Sequence, residues 1–540
     1  MIARKSFLIV TSQFFTRFLG WIGLVILAKL WGDFAPDALG IIGFAISFLA
    51  IFNILADLGF SRAHIKRISE GKALGTCIGT FATIKLLLLG LMITVVLFWI
   101  FIWKNIFHGG FSDATTESVI IVFVFYYIFT NLHLIATATF EGRKEIAKRQ
   151  IAQMFEGVKT PLVILVALAG VSLVGVGISP AVKWPLFLQP LQQFLADHAV
   201  GSLAMTYVFA VMAAFFVGMW FLRKYPIKRP SWSLFKSYFS FALPIMLFSV
   251  IGIVSVNIDK IMIGYYWTST EVGYYFTVQQ ILQLVMILYM AVSTVLFPTF
   301  SEYHSSKNFG EIRKITRLAE RYISMIIIPP IVVIIILVNP VINIMLSSAF
   351  LPAAPVLIIL AIFTLIYSLN VPYRTLIIGV NRPGIAAKLG VMICITNISL
   401  NYLFIPKWGL LSSYGISGPT GAAIATVVSI LVGFIGARIV VKKITGMKIL
   451  QSHTPRHIIA GVIMALVIYL LAFRTPFFPD IGWYYLLMFA GLGLAIYLGI
   501  LFVLKEFKKQ DLDFFLNILH PKEMIRYVSS ELKDDPKKPN

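Results

Sequence analysis

Thr16-Arg17-Phe18-Leu19-Gly20, Gly32, Leu39-Gly40, Ala56-Asp57-Leu58-Gly59-Phe60 and Ile68-Ser69-Glu70-Gly71 are the spine of residues 16–71. They frame an apolar segment with an arginine inside it, a short turn, a second apolar segment and a basic loop. The plan returns at mid-chain, where Asp259-Lys260-Ile261-Met262-Ile263-Gly264 leads through Glu271-Val272-Gly273-Tyr274-Tyr275-Phe276 to Phe300-Ser301-Glu302. Gly32 to Gly40 and Gly264 to Gly273 are matching turn spacings, and a Ser-Glu pair follows each second glycine by about 30 residues. Self-similarity of this kind marks an internal repeat. Two halves are implied.

The composition sets the surroundings of those halves. Of 540 residues, 59% are hydrophobic and 13% charged, with a mean hydropathy of +0.90, whereas soluble domains carry about a quarter charged residues. The chain reads as an all-α polytopic membrane protein. At about 20 apolar residues per helical span, about fourteen segments fit. They cover residues 7–30, 38–60, 74–103, 118–140, 151–178 and 200–222, then 237–264, 271–298, 322–348, 354–378, 385–405 and 419–441, then 457–474 and 482–504. The expected organisation is an N-lobe, 1–222, a cytoplasmic linker, 223–236, a C-lobe, 237–441, a helix pair, 457–504, and a tail, 505–540.

The formal charge of +22 suggests nucleic acid only until its distribution is read. Lys and Arg collect in alternate loops, for example Arg62, Lys66, Arg67 and Lys72, or Arg143, Lys144, Lys148 and Arg149. Such loops stay cytoplasmic, which predicts cytoplasmic N- and C-termini, a cell-membrane location and no nucleic-acid partner. Arg4 and Lys5 precede an apolar run that Arg17 interrupts, so the N-terminus reads as an uncleaved first span. The outer loop near 179–200 reads as an interfacial excursion with an amphipathic turn. The tail reads as membrane-surface at first and disordered at its end.

Catalytic signatures are missing. Cys77 and Cys394 are far apart in apolar runs, His64, His304 and His457 fall in basic loops, and His133 stands alone in an apolar helix, so no metal cluster is expected. Gly175-Val-Gly177 lacks the third glycine and the strand of a dinucleotide site. Neither a cofactor nor an enzymatic activity is expected.

Intramembrane charges are costly and are the default place to look for function. Arg17, Lys85, Lys159 and Arg374 lie about 12–17 Å from the inner surface by the helical rise, near the midplane, which predicts an aqueous, electropositive cavity and makes them candidate substrate-binding residues. The bland reading is that each fixes helix packing, most readily Lys159, with Glu156 three residues before it. Arg438, near a helix end, reads as snorkelling. Asp57, Asp259 and Lys260 are gating or coupling candidates, against the plainer reading that the acids neutralise nearby cations.

Thr16–Gly20, Ala56–Phe60, Ile68–Gly71 and Asp259–Phe276 resemble the polysaccharide transporter family, which includes O-antigen flippases, of the multidrug/oligosaccharidyl-lipid/polysaccharide exporter superfamily. The first motif also resembles the opening of lipid II flippases, but their second arginine, six residues on, is Gly23 here. The resemblance implies two six-helix lobes related by a pseudo-two-fold axis along the membrane normal, a C-terminal helix pair and a central cavity open alternately to each side. It implies a glycan on a polyprenyl phosphate or diphosphate as substrate, membrane lipids and glycan-assembly enzymes as partners, and a monomer. A cation-coupled small-molecule exporter would want central acids, and a membrane glycosyltransferase or polymerase would need metal-holding carboxylates or a large outer loop. The balance of deep charges is against the exporter, and neither of the enzyme's features is visible.

Overall fold

The computed structural model describes residues 2–106, 114–173, 175–449, 451, 453–474 and 481–506. The tail expected to begin at 505 lies almost wholly outside them. In chain order the helices are α1 (Ile2–Trp31), α2 (Ala35–Phe52), α3 (Phe60–Ser69), α4 (Leu74–Asn105), α5 (Ala114–Gly142), α6 (Ile146–Met154), α7 (Lys159–Ala169), α8 (Gln189–Asp197) and α9 (Ala199–Leu222). They continue as α10 (Trp232–Tyr266), α11 (Ser269–Ser305), α12 (Phe309–Ile336), α13 (Val338–Met345), α14 (Ala354–Gly379), α15 (Pro383–Phe404), α16 (Gly418–Thr445), α17 (His453–Arg474) and α18 (Trp483–Val503). Among the described residues, 12 stretches are long and apolar enough to cross a membrane, and the first, Thr11–Phe52, runs through both α1 and α2. Helices are what lipid demands, because each bonds its own backbone and leaves no polar group facing hydrocarbon.

Two compact units divide the described residues, one spanning Thr11–Gly273 and the other joining the chain from Tyr274 onward with the residues before Thr11. In the first, α5 packs on α9, and α10 packs on α2 and α3. Buried Phe60, Phe81, Phe140 and Tyr238 belong to its core. In the second, α12, α14 and α16 surround Phe300, Tyr373 and Ala437.

The repeated glycines have a physical cause. A Cβ on Gly40 would stand 1.7 Å from the Ser269 carbonyl oxygen, and a Cβ on Gly273 would stand 1.8 Å from that of Pro36. The start of α2 therefore touches the start of α11 backbone to backbone, at a distance only glycine permits. Gly40→Ala is expected to force these backbones apart and destabilise the fold by about 3 kcal/mol, the upper end for overpacking. Thermal unfolding in detergent measures it, and an unchanged midpoint would mean that the contact is looser than described.

Two spans depart from the pattern of apolarity. The second was expected to run to residue 60, but α2 ends at Phe52, and residues 53–57 follow in tight turns whose amides reach back three residues, as from Ala56 to Asn53. Leu58 and Gly59 then adopt left-handed φ of 46° and 83° before α3 begins. The fifth was expected as one helix over 151–178, but it comprises α6, a 3-10 turn over Phe155–Val158, and α7, which stops before Gly170 at φ 84°. Strand β1 (Val171–Leu173) then pairs antiparallel with β2 (Val176–Ile178). Apolar character alone could not separate this stretch, with β-branched Val171, Val176 and Ile178, from a helix. The amphipathic turn expected in the outer loop is α8, beside exposed Leu186 and Phe187 and with exposed Leu191 and Phe194.

Candidate functional site

A seam between α1 and the broken fifth span places Lys159 against α1, within one turn of Arg17. Ser12 Oγ donates to Gln150 Oε1 at 2.6 Å. About two turns on, Leu19 Cδ1 lies 3.9 Å from where a Cβ on Gly157 would stand, and the Lys159 ammonium 3.9 Å from where one on Gly20 would stand. A Cβ on Gly23 would meet Thr160 at 3.4 Å. A Cβ at any of the three would make only ordinary contact. Arg17 is exposed and sits three residues before Gly20, hence on the same helix face.

The two deep lysines of this unit are held differently. Lys85 is fully buried, and its ammonium donates to Asp57 Oδ1 at 2.5 Å, to the Ala56 carbonyl at 3.0 Å and to Asn131 Oδ1 at 3.1 Å. Three acceptors use all three of its protons. Asn131 Nδ2 in turn donates to Asn53 Oδ1 at 2.6 Å, and Asp57 accepts from the Ser61 amide at 3.3 Å. Lys85 therefore ties down the interrupted backbone between α2 and α3. Asp57 has Lys85 as its partner, 28 residues away, and not the neighbouring Arg62.

Lys159 has no such acceptors. Its ammonium stands over the Tyr207 ring, 4.4 Å from the centroid. Among the described residues it has no hydrogen bond, and no carboxylate lies within 4.0 Å of it. The pairing with Glu156 that would have made it a packing residue is a longer-range attraction only.

The remaining candidates are elsewhere. Arg374 is half-buried on α14 of the second unit, with no hydrogen bond or ion pair among the described residues. Asp259 and Lys260 are both buried on α10, where Lys260 donates to the Val256 carbonyl at 2.7 Å.

Three expectations are corrected by burial. Arg438 does not snorkel: its guanidinium lies 2.6 Å from Glu320 Oε1 and is sandwiched by Tyr373 and Phe434, each at 4.2 Å. Tyr373 donates to Glu320 Oε2 at 2.6 Å, and Thr454 of α17 to Glu320 Oε1 at 3.2 Å. His457 is not a loop residue but a buried one, its Nδ1 2.6 Å from Ser324 Oγ. His64 likewise is buried, stacked on Phe81 and bridging Tyr238 at 3.0 Å and Thr139 at 2.9 Å. Burial first, and the Lys85 charge second, push His64 from its ordinary 6.5 down to about 3. The unfolded chain binds the proton more readily, so stability is full above about pH 6.5 and falls as the pH drops toward 3. Among the described residues no group of three or more His, Cys, Asp or Glu could hold a metal.

Comparison with known proteins agrees with this architecture. A family model described as polysaccharide biosynthesis protein matches residues 192–355. The probable low-salt glycan biosynthesis flippase Agl15 of Haloferax volcanii is 23% identical over 477 residues, covering 88% of this chain and 90% of the relative. The probable flippase AglR of the same organism is 25% identical over 225 residues, 40% of this chain and 44% of the relative. Among solved structures, the lipid II flippase MurJ in an inward closed conformation superposes with a TM-score of 0.67 at 18% identity, covering 91% of this chain and 97% of the other. An inward-facing multidrug transporter of the MATE family gives 0.60 at 14%, covering 79% and 96%. At such identities the structural likeness speaks for the fold.

Proposed function

We propose, because this chain belongs to the polysaccharide transporter family of the multidrug/oligosaccharidyl-lipid/polysaccharide exporter superfamily, that it is a flippase for a glycan carried on a polyprenyl phosphate or diphosphate. The observation that carries the reading is the Lys159 ammonium on the seam beside α1, within a turn of Arg17 and with no carboxylate within 4.0 Å of it among the described residues. A phosphate head cannot enter hydrocarbon uncompensated. Arg17 offers a planar fork that grips two phosphate oxygens at once, and Lys159 a point charge with three donors.

The basic loops are cytoplasmic in this reading, as are both termini, and the substrate moves from the inner to the outer leaflet by alternating access of two lobes. An inside-negative potential favours outward movement of each negative charge by about 2.3 kcal/mol per 100 mV, so nucleotide hydrolysis is unnecessary. Asp57, Asp259 and Lys260 are candidates for gating. Within the second unit, Arg374 is a candidate substrate-binding residue in its own right. A small-molecule cation exporter is disfavoured by the same seam, which would repel its cargo.

The test is transport of a fluorescent polyprenyl-diphosphate-linked disaccharide in proteoliposomes, followed by a membrane-impermeant quencher. Protein-dependent loss of protection is expected; its absence, together with export of organic cations, would replace this reading with the exporter. Within the same assay, Gly20→Ala should transport almost normally, because a methyl there meets Lys159 at an ordinary contact distance. Gly20→Leu fills the space the ammonium occupies and should lower transport about ten-fold, a loss of the order of one charge-assisted contact. Equal activity of the two variants would detach Lys159 from the transport path.

A further inference from the structure

Lys85 and Lys159 pose a physical question: a lysine in a membrane-spanning helix ordinarily needs acceptors, and Lys85 has three, yet Lys159 has an aromatic face. A carboxylate partner would neutralise Lys159 toward an incoming phosphate. An aromatic face attracts the cation through its quadrupole but occupies none of its hydrogen-bond donors and carries no net charge. The ring beneath Lys159 is itself fixed. Tyr207, on α9, packs against Phe123 with centroids 5.5 Å apart and edge-on to Tyr126 at 6.4 Å, both from α5. Phe123 and Tyr126 also meet each other edge-on at 5.6 Å. The Tyr207 hydroxyl makes no hydrogen bond among the described residues, so what the site uses of this residue is its ring face.

We infer that Tyr207 is the positioning residue for Lys159: its ring holds the ammonium at the seam, with its donors directed to no acceptor among the described residues, for the phosphate of a lipid-linked substrate. The inference deepens the flippase reading of the same seam and rests on it. Tyr207 acts through Lys159 and does not itself bind the phosphate. Its effect is therefore on substrate affinity, it depends on an aromatic face and not on a hydroxyl, and it vanishes when Lys159 is absent.

The experiment compares wild type, Tyr207→Phe, Tyr207→Leu, Lys159→Gln and the Tyr207→Leu/Lys159→Gln double variant, each first shown to unfold at a similar temperature. Transport of the fluorescent polyprenyl-diphosphate-linked disaccharide is measured against its concentration. Tyr207→Leu should raise the half-saturating concentration about ten-fold, the scale of a partly desolvated cation–π contact, with the maximal rate retained. Tyr207→Phe should stay within about two-fold of wild type, and Tyr207→Leu should add nothing in the Lys159→Gln background. The inference is overturned if Tyr207→Leu behaves as wild type, if Phe and Leu are equally impaired, or if Leu adds its full loss without Lys159. Should wild type fail to move the disaccharide lipid, the flippase reading fails by itself. Retention of bare polyprenyl phosphate by the same five proteins, read by native mass spectrometry, then decides the role of Tyr207: wild type and Phe above Leu and Gln supports it, and any other order refutes it.

Discussion

Glu320→Gln should lower the stability of the detergent-solubilised protein by about 3–5 kcal/mol, the usual consequence of leaving one member of a buried ion pair without the other. The side chains of Glu320 and Arg438 are 0% and 1% exposed, so neither charge can turn to water when its partner is neutralised. The arginine is also sandwiched by Tyr373 and Phe434 and donates to the Ile449 carbonyl at 2.6 Å, which prevents it from relaxing to the surface. Two features make the loss larger than a pairwise contact. Tyr373 and Thr454 both donate to Glu320, and Thr454 belongs to α17, so one carboxylate joins α12, α14, α16 and α17. The double variant Glu320→Gln/Arg438→Met should recover much of the loss, since it removes the stranded charge. Thermal unfolding followed by intrinsic fluorescence measures both; a Glu320→Gln protein as stable as wild type would show that the cluster is hydrated and of little energetic weight.

Arg17→Ala should abolish transport, by about a hundred-fold or more, with normal expression and an unfolding temperature close to wild type. The side chain is exposed on α1, so truncating it opens no cavity in the core, and its expected loss is that of a bidentate, charge-assisted grip in a poorly solvated seam. Arg17→Lys should keep a fraction of the activity, because the charge survives while the planar fork does not. Concentration-dependent transport separates the outcomes. Full activity of Arg17→Ala would remove it from the path, and equal loss in Lys and Ala would mean that fork geometry outweighs charge altogether.

The glycine spacing was the most legible feature of the sequence, and Gly40 and Gly273 show why: each stands where the other segment's backbone leaves no room for a side chain. Deep cations could also be found by counting residues from the membrane surface. Their partners could not. Asp57 lies 28 residues from Lys85 and Glu320 lies 118 from Arg438, so inspection within a helical turn assigned Lys85 to an open cavity and Arg438 to the lipid surface. For Lys159 a carboxylate three residues away suggested a pair as the plainer alternative, whereas the ammonium rests on Tyr207. His64 and His457 lie beside basic residues in sequence, and only packing of α3 against α5 and α10, or of α12 against α17, turns them inward. The hairpin β1–β2 was lost because β-branched apolar residues satisfy a hydropathy window as well as a helix does.

The end of α18 returns to α12. Glu506 pairs with Arg321 at 3.5 Å and with Arg456, while Tyr497 donates to the Ser324 carbonyl at 3.4 Å. This has a practical bearing on reporter fusions and shortened versions of the gene. A junction placed upstream of Glu506 would leave Arg321 and Arg456 facing each other with their shared counter-ion removed and would loosen the last two spans from the rest. A fluorescent tag intended to report folded yield should therefore be joined beyond that residue, where its signal would follow the assembled protein and not a product whose final spans had come away.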